Sequence, residues 1–190
     1  MKSHFKMFAA YNRWANRLLL GSCRDLNADD YLKDLKAPHS SVNGTLNQMY
    51  VADVVWLHRF TGEGDAPYTI DDIPFDMLSD LSAARAVLDE RIISFVDHLE
   101  NDVIASTILY RTIRKPLVME QPLSSALSHV FNSQSGFRGQ VNLMLAQLGI
   151  DPETNDLIQF QRETGIGMTS DLVDGKFMDK PPASQHVACG

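Results

Sequence analysis

One segment constrains the chain more than any other: residues 121–149, QPLSSALSHVFNSQSGFRGQVNLMLAQLG. Pro122 suits the first position of a helix, where its missing N–H would have no intrahelical partner and its fixed φ is already helical. Gly149 stands where a left-handed cap ends a helix, and Asp151-Pro152 stops continuation. Between these signals Leu123, Leu127, Val130, Phe137, Val141, Met144 and Leu148 recur every three or four residues and so share one face. At 1.5 Å per residue the segment is a rod of roughly 40 Å, long enough to span a small domain. His129, Ser133, Gly136 and Gln140 run along one border of the apolar face as a polar lane, and function is expected there.

A helix with one apolar face needs partners to cover it, and three further periodic segments provide them. The first runs from about Ser3 to Cys23, with Phe8, Tyr11, Ala15 and Leu18 as its stripe and Met7 and Trp14 beside it. Asn12 and Asn16, poor helix formers one turn apart, are expected to bond at the surface or between helices. The second begins after Ser40 or Ser41, either of which can cap it, and buries Val42, Leu46, Met49, Trp56 and Phe60. Asp53 falls inside that stripe, where a carboxylate needs a partner: an interhelix Arg, Asn or Trp N–H, or a role as general base or substrate anchor. Thr61 to Phe75 reads as a loop, and a third helix follows from about Phe75 to Leu99 with Asp89, Glu90 and Arg91 on its wet side. Asn101 to Gln121 breaks the helical period. Ile104, Ser106, Ile108 and Tyr110 share one parity there, as in a short exposed hairpin whose regularity Pro116 limits. Beyond Gly149, Asp156 to Glu163 can form one short helix capped by Asn155, and residues 166–190 read as a loose C-terminal tail.

Three of these segments resemble the DinB-like family in that family's order. HVFNSQSGFRGQ (His129 to Gln140) is similar to its signature helix, written HVFNHxTHHRGQ; GTLNQMYVADVVWLHRFTG (Gly44 to Gly62) resembles its second helix, and YNRWANRLLL (Tyr11 to Leu20) its first. The resemblance implies an all-α fold: an up-down four-helix bundle with one long crossover over residues 1–165, carrying a short hairpin before its fourth helix. The periodic segments alone would fit several bundles. The resemblance also implies a metal held by one histidine of the second helix and a His-x-x-x-His pair of the fourth, serving thiol S-transferase or hydrolase chemistry. In this chain those three positions are Gln48, Ser133 and Phe137.

Zinc or nickel wants three or four N, O or S donors at about 2.0–2.3 Å in fixed geometry. A phenyl ring donates nothing, a neutral serine hydroxyl is a feeble ligand, and an amide oxygen serves hard ions only alongside carboxylates. His129, one turn before Ser133, adds a single imidazole and is expected to be a hydrogen-bonded border residue. The expectation is a metal-free, cofactor-free site in which Gln48, Ser133 and Phe137 line a pocket with Asp53, His129 and Gln140, binding a small molecule between the second and fourth helices. Two alternatives stay open: a metal-dependent transferase or hydrolase with an unorthodox site, and a non-catalytic structural or regulatory dimer.

Composition narrows the partners. A formal charge of −7 with scattered Lys and Arg gives a nucleic-acid backbone little to hold, so nucleic acid is not an expected partner. Cys23 and Cys189 make no disulfide framework. No run approaches the ~20 apolar residues of a membrane span, and the opening MKSHFKMF has no apolar signal core. A cytoplasmic homodimer is the resulting expectation, the dimer resting on the family resemblance.

Overall fold

The computed structural model describes residues 1–64, 69–113 and 117–168, together with the backbone of 172–173 and 176–177. The chain is mostly helical. It runs α1 (Lys2–Ser22), a 3-10 turn (Cys23–Asp25), α2 (Ala28–Leu32), α3 (Val42–Thr61), α4 (Leu78–His98), α5 (Asn101–Ile104), strands β1 (Thr107–Arg111) and β2 (Val118–Pro122), α6 (Leu123–Gln147) and α7 (Leu157–Thr164). Residues 172–173 and 176–177 pair as a minimal antiparallel ribbon, β3 and β4, so the expected tail contains some order; apart from these and residues 166–168 the tail, Cys189 included, lies outside the described residues. Pro116 does as well.

Local chemistry sets the boundaries. Ser41 caps α3, its hydroxyl accepting from the Gly44 N–H at 3.1 Å. Gly149 has φ of +81° and ends α6 in the left-handed region, with the Ile150 N–H returning to the Leu145 carbonyl at 2.9 Å. Pro122 sits one residue earlier than expected: its ψ of 132° makes it the N-cap, and it closes β2 instead of opening the helix. Asp156, not Asn155, caps α7 by accepting from Gln159 N–H. The third long helix starts at Leu78 because Phe75 is held extended against α3, its N–H donating to Asn47 Oδ1 and its carbonyl accepting from Asn43 and Asn47.

Contacts run between α1 and α4, α4 and α3, α3 and α6, and α6 and α1, so the four long helices close a ring of neighbours. Two apolar clusters fill it. Phe5, Leu57, Leu88, Ile92, Val96, Leu127 and Phe131 belong to one; Leu19, Leu46, Met49, Leu81, Val141 and Leu145 belong to the other. On every long helix, polar residues separate the two clusters.

Two expectations are corrected here. Asp89 is buried rather than on the wet side of its helix. The buried face of α6 is centred on Phe131, Gln134, Arg138, Val141 and Leu145, while Phe137 and Leu148 are only half-buried. The face is turned by about one residue, roughly 100°, from that read through Phe137.

Candidate functional site

The polar layer draws on all four long helices. Asp53 of α3 lies 2.8 Å from Nη1 of Arg85 on α4, an ionic contact aligned too poorly for a hydrogen bond. Arg85 Nη2 donates to Asp89 Oδ1 at 2.7 Å, and Asn16 of α1 donates to the same carboxylate. From α6, Gln134 Nε2 donates to Asp53 Oδ1 at 2.8 Å, and Arg138 donates to Asn12 and Asn16 of α1 at 2.7 and 3.2 Å. The Arg138 guanidinium also sits 5.0 Å above the Tyr11 ring. Two arginines face two aspartates, so the layer is neutral.

Burial pushes the Asp53 carboxyl up to about 6; Arg85 pulls the other way and the Asp89 charge adds to the push. Burial opposes the Arg85 charge, but Asp89 and Asp53 outweigh it and the pKa is raised. Burial lowers that of Arg138, with Tyr11 opposing. These partners make Asp53 a structural carboxylate, the interhelix arginine alternative weighed for it, and it lies away from the polar lane. Asn12 and Asn16 likewise bond between helices. Cys23 is buried, and burial lifts its thiol to about 12, which leaves it a small apolar side chain.

The other expected site residues lie on α3 and α6, which pack side by side. These two helices run antiparallel: Thr45 meets Met144, Asp53 meets Gln134, and Trp56 meets His129. That register sets Gln48 level with Phe137 to Val141. Gln48 is 8% exposed and makes no side-chain hydrogen bond among the described residues. Gln140 keeps a buried Oε1 with no partner among the described residues. Ser133 spends its hydroxyl on the Val130 carbonyl at 2.8 Å. Phe137 packs into the second apolar cluster, its ring 5.8 Å from that of His39. His129 is exposed and rests against Trp56 two turns away from Gln48, in a group completed by Tyr110 and by Arg59, whose guanidinium lies over both aromatic rings.

The loop bearing His39 reaches this pair of helices because position 44 is glycine. A Cβ there would collide with the His39 carbonyl oxygen, so only a bare backbone lets the loop lie on α3.

These residues do not fit a zinc- or nickel-type ion. Phe137 has no donor atom, the Ser133 proton is committed to a backbone carbonyl, and His129 is held elsewhere by Trp56. Among the described residues no three His, Cys, Asp or Glu side chains are grouped to share a metal. No helix among the described residues is long and apolar enough to cross a membrane.

Sequence reasoning missed Arg85 and Gln134. Both interrupt apolar stripes: Arg85 stands between Leu81 and Leu88, and Gln134 between Phe131 and Val141. A charged or amide side chain in phase with leucines was the available signal.

Comparison with known proteins adds two findings. A family model described as DinB family matches residues 1–170. Protein DinB of Bacillus subtilis (strain 168) is 25% identical over 164 residues, covering 76% of this chain and 86% of that protein.

Proposed function

The chain belongs to the DinB family, and we propose that it works without a bound metal, taking a small molecule in the groove between α3 and α6. Its four long helices are read as the family's up-down bundle with one long crossover. The observation that carries the functional reading is the pair of amides at the groove. Among the described residues Gln48 has no side-chain partner, and Gln140 holds a buried acceptor that none of them satisfies. An unmade hydrogen bond at a buried acceptor costs about 1–3 kcal/mol, so a ligand or ordered water that supplies the donor is favoured there. Apolar walls with a few convergent polar groups are the usual make-up of a small-molecule site. Phe137, half-buried, supplies an apolar surface here.

A thermal-shift screen of polar metabolite-sized compounds tests this reading. A ligand present at 100 times its Kd stabilises the fold by about 2.7 kcal/mol. Gln48→Ala and Gln140→Ala should each weaken the hit by roughly tenfold, the worth of one buried hydrogen bond. A hit indifferent to both substitutions would place the ligand elsewhere and end the proposal.

A further inference from the structure

A cavity of about 590 Å³ opens on the other side of the molecule, between α1, α4 and α7. Its size is that of a small-molecule site. Trp14 and Phe160 form an aromatic wall, their rings 5.7 Å apart, with Leu20 and Ile166 also lining the space. The wall is fixed: α7 is capped by Asp156, and the Tyr11 hydroxyl donates to the Asn155 carbonyl at 2.9 Å.

The charged lining is unbalanced. Arg13, Arg17, Arg24 and Arg85 face it, against Asp89 and Glu90 only. Arg13 is tied to Glu90 at 2.7 Å, and Arg85 to Asp89 and Asp53. Arg17 and Arg24 have no hydrogen bond or ion pair among the described residues. In a chain of net charge −7, two guanidinium groups at one cavity, one from α1 and one from the 3-10 turn, both without a partner among the described residues, are a local reversal of sign. Beneath them Arg85 is only 3% exposed, lines the cavity, and has an Nε with no hydrogen-bond partner. A buried donor left open beside a cavity is a built feature rather than a surface accident.

We propose that this cavity is a second ligand site, distinct from the α3–α6 groove, that takes an aromatic carboxylate. The ring lies against Trp14 and Phe160, and the carboxylate meets Arg17, one turn from Trp14 on the same face of α1. Guanidinium matches a carboxylate bidentately, and the aromatic wall rewards a flat apolar body. A bare inorganic anion would leave that wall uncovered, and a neutral aromatic would leave Arg17 unpaired.

Calorimetric titration of the full chain with 2-naphthoate, its neutral isostere 2-naphthamide and inorganic phosphate decides the matter. Naphthoate should bind at least tenfold more tightly than naphthamide, and phosphate more weakly than naphthoate. Arg17→Gln should remove that advantage while leaving naphthamide unchanged. Ala86→Trp, on an exposed helical position lining the cavity, should abolish binding of both aromatics with the helical circular dichroism intact. Gln48→Ala should leave naphthoate binding as it was, separating this site from the other groove. Equal affinity for naphthoate and naphthamide, no naphthoate binding at millimolar concentration, an inert Arg17→Gln, or binding that survives Ala86→Trp would each overturn the proposal.

Discussion

Two sets of polar side chains meet the interior of this protein, and they are built on opposite plans. The layer of Asp53, Arg85, Asp89, Gln134 and Arg138 is charge-balanced, and each of its members bonds to a residue on another helix or one turn away. Gln48 of α3 and Ser133 and Gln140 of α6 make no bond between these two helices among the described residues. The first set shows what a polar group needs in order to serve the fold. The second lacks those partners: Ser133 bonds only within its own helix, and Gln48 and Gln140 make no side-chain bond among the described residues.

The contrast breaks most sharply at Arg85. Arg85→Met should lower unfolding free energy by about 3–5 kcal/mol in urea denaturation, since it strands two buried carboxylates. Gln48→Ala, by the same measurement, should sit close to the parent. A mild Arg85→Met would mean that the layer is no more integral than the groove.

Acid titration sharpens the electrostatics. The Asp53 carboxyl titrates at about 6 in the fold and near 3.8 when unfolded. Between those values the native state holds a proton that the unfolded chain has shed, so stability from this residue falls as pH rises from about 4 to 6 and is flat outside. The drop is on the order of 3 kcal/mol. The stability of the parent relative to Asp53→Asn should therefore fall as pH rises across this window, read from urea denaturation of both proteins. Parallel curves would mean that Arg85 keeps Asp53 ionised throughout.

The groove is tested by restoring the histidines that the resemblance supplies. In Gln48→His, Ser133→His, Phe137→His the two α6 imidazoles stand one turn apart on one face and the third faces them from α3. The metal-free variant should be less stable than the parent. Zinc at 100 times its Kd should return about 2.7 kcal/mol, with no such gain in the parent. A folded variant that binds zinc no better than the parent would show that these positions do not share one pocket.

The same contrast explains what was legible in the sequence. Apolar spacing exposed the long helices, and turn chemistry at Ser41 and Gly149 marked their ends, because these are local properties. Asp53 stood out as a carboxylate in an apolar stripe, and its need for an interhelix partner followed from burial cost alone. The partner did not: Arg85 and Asp89 carry charges that default to solvent, and only the packing of α4 against α1 and α3 turns them inward. Reading the α6 stripe through Phe137 turned the face by one residue and hid Gln134, whereas Arg138, expected off the polar lane in a salt bridge or interhelix bond, makes that bond to Asn12 and Asn16 of α1. The α1–α4–α7 cavity was invisible for the same reason, since Trp14, Arg85 and Phe160 meet only in three dimensions.

Gly44 carries a consequence out of proportion to its size. The loop that brings His39 over Phe137 is a roof laid on α3, and one missing methyl group is what lets it settle. Any larger residue would force that roof away from α3. How closely the His39 loop covers Phe137 is thus set by a residue that has no side chain of its own.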